Sequence, residues 1–302
     1  MARHVLALAD LKRDEILAIL NLASELKHKL KMGVREALYP GYVMALLFEK
    51  PSLRTRVSFE TGMRHLGGSS LFLGDDVGWG GRESIEDFGR VLSSYVDLIV
   101  VRAKSHGSVE ELSRHSKVPV INGLTDYSHP CQALADLLTV RENFGTLDGQ
   151  KVAFVGDANN VSRSLAVGCA KLGVPFAIAG PTGYQFEPSF FGRLKGETGT
   201  ELVATTDPFE AVRGATVVYT DVWASMGQEA EQAERRERFA DYQVNERLMG
   251  AATKEAIFLH CLPAHRGEEV SAGVIDGAAS RVIEQAENRL HAQKGLLAWL
   301  LG

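Results

Sequence analysis

Apolar and polar residues follow one another along this chain in two rhythms, and the order of those rhythms predicts its architecture. From Lys12 to Lys31, Ile16, Ile19, Leu20, Ala23, Leu26 and Leu30 recur at helical spacing, so this stretch reads as one amphipathic helix that ends near Gly33. Short apolar runs follow at Tyr42–Phe48, Val96–Val101 and Pro119–Ile121, separated by helix-like stretches at Arg56–His65, Ser84–Ser94 and Ser108–Ser116. A further helix, Ala133 to Val140, opens at His129-Pro130. Apolar runs alternating with helices predict βαβ units on a parallel sheet, because strands covered on both faces have no polar side to show.

Turn residues cluster at Asn143-Phe144-Gly145-Thr146-Leu147-Asp148-Gly149, and the pattern then restarts. Lys151–Val155 reads as a buried strand, followed by Gly156-Asp157-Ala158-Asn159-Asn160 and a helix from Val161 to Leu172. Further strands are expected at Val174–Ala179, Glu201–Ala204, Thr216–Tyr219 and Ala256–Leu259, with helical segments between them. Glu229 to Glu237 is a charge-rich run that reads as a solvated helix face. The last helix, Arg281 to Leu300, is long enough to leave its own domain and pack on the first. The expected fold is therefore α/β, with two parallel-sheet domains, 1–145 and 146–302, residues 281–302 returning to the first domain. A chain of 302 residues suits this division, since two units of about 150 residues can each bury a core.

Composition narrows the function by exclusion. A 24% charged fraction and a net charge of −5 give no electrostatic reason to expect nucleic acid or an anionic membrane, so any basic site must be local. Cys131, Cys169 and Cys261 are an odd set with no CxxC pair and no zinc spacing, which favours a reducing compartment and no metal site. The first residues lack the apolar core of a secretory signal and no run approaches the length of a membrane span, so a cytoplasmic protein is expected.

Chemistry concentrates where strands run into polar residues. After the first apolar run, Ser52-Leu53-Arg54-Thr55-Arg56 sits at a helix start, where free backbone N–H groups and the positive end of the dipole suit an anion. Arg54 adds paired donors, although the same residues would equally make an N-cap with two surface arginines. Arg102 emerges at the carboxyl end of a strand, where parallel sheets place ligands. His129, with Pro130, Cys131 and Gln132, opens a helix; a neutral ring there could donate to a carbonyl oxygen, and a half-buried structural histidine is the alternative. Asn160 is suited either to a helix cap or to an uncharged contact with a carboxylate. Asp221 ends another strand and can hold an amine or take its proton. Cys261, between His260 and the pair His265-Arg266, is either a thiolate favoured by nearby positive charge or plain packing. The turn at Gly156 lacks the spaced glycines of a dinucleotide loop, which disfavours a nicotinamide dehydrogenase.

These corners together resemble the aspartate/ornithine carbamoyltransferase family across almost the whole chain. Ser52-Leu53-Arg54-Thr55-Arg56 matches its Ser-x-Arg-Thr-Arg motif, and His129-Pro130-Cys131-Gln132 its His-Pro-x-Gln motif. Asp221 with Ser225-Met226-Gly227, His260-Cys261-Leu262-Pro263 and Glu287-Asn288-Arg289-Leu290 resemble the ornithine branch. The resemblance implies two α/β domains with the active site in the cleft between them, usually assembled as a homotrimer or a multiple of trimers. It implies carbamoyl transfer from carbamoyl phosphate to the δ-amine of L-ornithine, a step of arginine biosynthesis, with no cofactor.

By the same resemblance Ser52, Leu53, Arg54 and Thr55 hold the phosphate, Leu53 through its backbone. Arg102, His129, Pro130, Cys131 and Gln132 hold the carbamoyl end, Cys261, Leu262 and Arg289 close the pocket, and Asn160, Asp221, Ser225 and Met226 receive ornithine. Arg54, Thr55, Arg102, His129, Asp221 and Cys261 are the expected catalytic set. One departure stands out: near Gly78 the ornithine branch carries a Gln, and here Trp79 or Arg82 is left to take its place. The alternatives are a carbamoyltransferase for N-acetylornithine or putrescine, and a catalytically silent relative that binds metabolites.

Overall fold

The structure is a computed structural model that describes residues 2–224 and 229–302. Its residues group into two compact units, Met1–Leu138 with Glu287–Gly302, and Thr139–Ala286. The first half of the chain supplies α1 (Arg13–Lys31), β1 (Val43–Phe48), α2 (Leu53–His65), β2 (Ser69–Leu73), α3 (Ile85–Leu92), β3 (Leu98–Arg102), α4 (His106–His115), β4 (Val120–Leu124) and α5 (Pro130–Phe144). The second supplies β5 (Val152–Val155), α6 (Asn160–Leu172), β6 (Phe176–Ala179), α7 (Pro188–Thr198), β7 (Leu202–Thr205), α8 (Pro208–Val212) and β8 (Val217–Thr220). After it come α9 (Gln232–Arg238), α10 (Glu246–Met249), β9 (Ile257–His260), α11 (Ala272–Ile275) and α12 (Val282–Leu301). Both sheets are parallel, as the unbroken apolar runs predict.

The sheet of the first unit has the order β2-β1-β3-β4. β3 is buried along its whole length, and β1 at every residue but its first. The edge strand β2 is not expected from the sequence: Ser-Ser-Leu-Phe-Leu neither alternates nor forms a long apolar run, and Leu71 and Phe72 remain exposed. The Arg56 guanidinium lies 3.8 Å from the Phe72 ring centroid, a cation over the face of an aromatic ring. α1 begins where the Glu15 carboxylate accepts the Lys12 N–H at 2.7 Å, and its chain turns away at Gly33, which takes a φ of 79°.

The sheet of the second unit has the order β7-β6-β5-β8-β9, and its strands are buried except at the edge, β7. In each sheet the order reverses once, between β1 and β3 and between β5 and β8. Such switch points open a crevice at the strands' carboxyl ends, where the two flanking crossovers leave to opposite sides. Among the described residues no helix is long and apolar enough to cross a membrane.

α12 starts in the core of the second unit, through Val282, and its residues from Glu287 onward belong to the first. There Tyr39 Oη donates to the Ala298 carbonyl at 2.8 Å, and Lys27 Nζ donates to Asn288 Oδ1 at 2.7 Å. The helix crosses α1 at Gly295, where an added Cβ would lie 2.5 Å from the Ile19 carbonyl oxygen and 2.8 Å from the Ala23 nitrogen. Backbone atoms cannot swing aside as a side-chain tip can. Gly295→Ala is therefore expected to destabilise the protein by about 1–3 kcal/mol, despite the better helix propensity of alanine. Chemical denaturation of the two proteins measures this as a lower midpoint.

Candidate functional site

In the first unit the chain leaves β1 and enters α2 through Ser52, whose Oγ caps the helix by accepting the Thr55 N–H at 3.3 Å. Leu53 stands at the first helical position with its side chain 77% exposed, so what it offers this corner is its backbone. Arg56 is turned away, its Nε donating to Glu60 at 3.0 Å. Arg102 pairs with Phe48 in the sheet register, which sets it beside the same corner on the other side of the switch point.

The Arg102 side chain is buried, and its Nε has no hydrogen-bond partner among the described residues. Burial first, then the positive charges of Arg289 and Arg54, lower its pKa to about 10. His129 is buried at the start of α5, and the same order of causes, burial and then Arg289, Arg102 and Arg54, holds its pKa well below the ordinary value. Its ring is therefore neutral at pH 7. Arg289 reaches in from α12: Nη1 donates to Gln132 Oε1 at 2.8 Å and Nη2 to Thr55 Oγ1 at 3.3 Å. Gln132 is oriented in turn by its Nε2, which donates to Asp136 Oδ1 at 2.8 Å. Arg102, Arg289 and Arg54 brought together around a helix start make a site for an anion with several oxygen atoms. Cys131 packs behind it, its thiol pushed up to about 12 by burial and donating to the Asn122 carbonyl at 3.5 Å. What Cys131 can offer a ligand is its backbone.

In the second unit β8 ends at Thr220 and Asp221 follows, buried at the switch point. Its Oδ1 accepts the Cys261 thiol at 3.0 Å and the Val222 N–H at 2.8 Å, and its Oδ2 accepts Asn159 Nδ2 at 2.9 Å. The cap of α6 is Asn159, whose Oδ1 accepts from the Val161 and Ser162 N–H groups, so the capping role weighed for Asn160 falls one residue earlier. Asn160 is the first helical residue, and its carbonyl accepts Ser164 Oγ at 2.8 Å. Ser225 and Met226 lie outside the described residues.

The expectation that positive charge favours a Cys261 thiolate is corrected by the partners of those charges. His260 is buried, its Nε2 faces Glu269 Oε1 at 3.2 Å, and its Nδ1 accepts the Leu262 N–H at 2.9 Å, which assigns the proton to Nε2. Arg266 forms two hydrogen bonds with Asp276, and the His265 ring Nδ1 lies 3.7 Å from Glu269 Oε2. The sulfur instead meets a carboxylate, donating to Asp221 Oδ1 at 3.0 Å, a neighbour that disfavours a second negative charge. Leu262 takes a φ of 58°, rare for a branched residue, and is held there by its bond to His260. Asp221, His260 and Cys261 offer ligand atoms within 4.8 Å of one another, as do His265, Glu268 and Glu269, but the first trio is already committed to the hydrogen bonds just described.

Three residues of this region carry no motif. Asn159 and Glu269 orient Asp221 and the loop after β9, and Arg235 of α9 is buried although the charge-rich run placed it on a solvated face. Gly78 takes a φ of 69°, a backbone conformation that disfavours any side chain, and a Cβ there would displace the exposed Arg82 side chain. Trp79 packs on the core of its own sheet and lines a cavity of about 330 Å³ with Glu49 and Lys104.

The chain matches known proteins over its full length. Residues 3–142 match the family described as aspartate/ornithine carbamoyltransferase, carbamoyl-P binding domain, and residues 148–300 the companion Asp/Orn binding domain. A relative named ornithine carbamoyltransferase from Anoxybacillus flavithermus is 53% identical, with 99% of this chain and 96% of that protein covered. One of the same name from Pyrococcus abyssi is 50% identical over 99% of this chain and 96% of its own. The solved structure of ornithine carbamoyltransferase from Pyrococcus furiosus superposes with a TM-score of 0.96 at 49% identity, covering 100% of this chain and 97% of that one.

The burial of Arg102 beside other cations costs stability that an anion recovers. Arg102→Met is expected to raise the thermal midpoint of the ligand-free protein or leave it unchanged, and to abolish most of the increase that inorganic phosphate gives the parent protein. Thermal scans with and without phosphate test both halves. Acid acts in the same direction as the loss of that anion. The unfolded chain protonates His129 near its ordinary value of 6.5 and the folded one only well below it, so stability is complete above about pH 6.5 and falls as pH drops further. His4, His65 and His291 are shifted the same way, His291 to about 4. Urea-unfolding free energies are expected to fall between pH 7.5 and 5.5, approaching a limiting slope on the order of 1.4 kcal/mol per pH unit from the fully buried His129, with smaller contributions from the more exposed His4 and His65. His129→Asn flattens that dependence.

Proposed function

Because the chain belongs to the aspartate/ornithine carbamoyltransferase family, we propose that it transfers the carbamoyl group of carbamoyl phosphate to the δ-amine of L-ornithine, giving L-citrulline and phosphate. The observation that carries this reading is the buried group Arg102, His129 and Arg289 at one switch point, matched by the Asp221–Cys261 pair at the other. The first has the chemistry of a phosphate and carbonyl site; the second has the chemistry of an amine site.

In this reading the backbone from Ser52 to Thr55 and the Arg54 side chain hold the phosphate. Arg102 and the neutral His129 donate to the carbamoyl oxygen, Pro130, Cys131 and Gln132 shape that end, and Leu262 and Arg289 complete it. The free δ-amine attacks the carbonyl carbon, an N–C bond forms, and the C–O bond to phosphate breaks with its electron pair on the phosphate. An alkyl ammonium of this kind has a pKa of about 10.4, so near neutral pH about one molecule in a few thousand carries the lone pair that attacks. Asp221 and Cys261 orient that amine and steer its proton, while Asn160, Ser225 and Met226 receive the rest of the amino acid. Charge develops on the carbamoyl oxygen in the transition state, where a fixed donor is worth about a hundredfold to a thousandfold in turnover.

The exposed apolar side chains of Leu53, Val57, Leu71 and Phe72 on α2 and the edge strand β2 support assembly as a homotrimer or a multiple of trimers. Three free cysteines support a reducing, cytoplasmic location, and citrulline as the product fits a step of arginine biosynthesis. Initial rates with carbamoyl phosphate and each of ornithine, N-acetylornithine, putrescine and aspartate are expected to rank ornithine first. Asp221→Asn and Cys261→Ala are each expected to lower kcat/KM for ornithine by more than about threefold, or ~0.65 kcal/mol. Losses smaller than this in both variants would remove the amine-binding role.

A further inference from the structure

Arg235 is the only buried residue of α9, in a segment whose sequence is almost wholly charged. Its Nη1 donates to Asp157 Oδ2 at 2.8 Å and to the Trp223 carbonyl at 2.9 Å, and its Nε donates to Glu231 Oε2 at 2.9 Å. The guanidinium lies 5.0 Å from the Tyr184 ring centroid. One side chain therefore fastens α9 to two other stretches of chain, the turn after β5 and the chain leaving β8.

Those two stretches carry the acid and amide of the amino-acid half-site. Asp157 begins the turn in which its carbonyl accepts the Asn159 N–H at 2.8 Å, and Ser162 Oγ donates to the same carbonyl at 3.0 Å. Trp223 is two residues beyond Asp221. The Asn159–Asp221 hydrogen bond thus spans a gap whose two sides are both anchored on Arg235. The charge balance has the same dependence. Burial raises the Asp157 pKa, Arg235 lowers it, and Asp221 raises it, so the two carboxylates feel one another and the guanidinium answers only one of them.

We infer that Arg235 is a positioning residue for amine recognition: it fixes the Asp157–Asn159 turn and the chain at Trp223, and it neutralises Asp157, so that Asp221 is the carboxylate left to meet a substrate ammonium or amine beside Cys261. The inference rests on the proposed reaction and adds to it a residue that touches neither substrate. The planar group holds Asp157 and the Trp223 carbonyl through Nη1 while Nε holds Glu231 of the same segment, and a lysine ammonium satisfies the charge without that second arm.

Steady-state kinetics on Arg235→Gln, Arg235→Lys, Asp157→Asn and the double variant Arg235→Gln/Asp157→Asn test this. The expected result for Arg235→Gln is a KM for ornithine raised at least tenfold with the KM for carbamoyl phosphate within twofold of the parent. Arg235→Lys falls between the two, and the double variant recovers part of the loss because no unbalanced carboxylate remains. A purely structural role would lower kcat through a smaller active fraction and leave both KM values in place. Should Arg235→Gln fail to fold, Asp157→Asn alone is expected to raise the ornithine KM at least threefold. Ornithine KM values within threefold of the parent in every folded variant overturn the inference while leaving the reaction intact; a parent protein that makes no citrulline overturns the reaction and this inference with it.

Discussion

A parallel strand is followed by the next only through a crossover that begins beyond its carboxyl end, and where two successive crossovers depart to opposite faces they leave a gap that no connection fills. Both sheets of this protein contain one such reversal, and nearly all the chemistry of the chain gathers there. Ser52 and Arg102 flank the gap between β1 and β3, and Asn159 and Asp221 flank the gap between β5 and β8. The second sheet has the strand order of dinucleotide-binding folds without their glycine fingerprint, so its gap is furnished with an acid, an amide and a thiol instead.

The two gaps are furnished with opposite charge and by different means. In the first unit cations are buried against one another and their mutual repulsion is left for a ligand to relieve. In the second the guanidinium groups are answered by acids of the chain itself, Arg266 by Asp276 and Arg235 by Asp157, and the acid that faces the half-site is Asp221. Burying charge is costly in either case, and each group is ringed by partners that fix its geometry: Gln132 and Thr55 around Arg289, Asn159 and Cys261 around Asp221.

The alternation of strand and helix was legible in the sequence because buried parallel strands are unbroken apolar runs, and the strand-end clusters were legible because Arg, His, Asp and Cys are poor neighbours for such runs. The edge strand β2 was not, since an edge needs little burial and leaves no periodic trace. Residues that act through another residue were also hidden. Asn159 looks like its neighbour Asn160, Glu269 looks like any surface acid, and Arg235 sits among seven residues of which four are charged besides itself. Their importance lies in partners far along the chain, such as Asp157 for Arg235, and local spacing carries no record of those.

The path of α12 bears on how the protein comes to be folded in the first place. The second unit is one uninterrupted stretch, Thr139–Ala286, whereas the first takes in Glu287–Gly302 from the far end of the chain. A nascent polypeptide emerging from the ribosome has all of the later unit available before the earlier one can close. Until residues 287–302 have emerged, α1 lacks the helix that covers it and Thr55 and Gln132 lack Arg289. The cationic site is therefore closed by a contact between residues more than 150 positions apart, and it forms only once the whole intervening unit has been made.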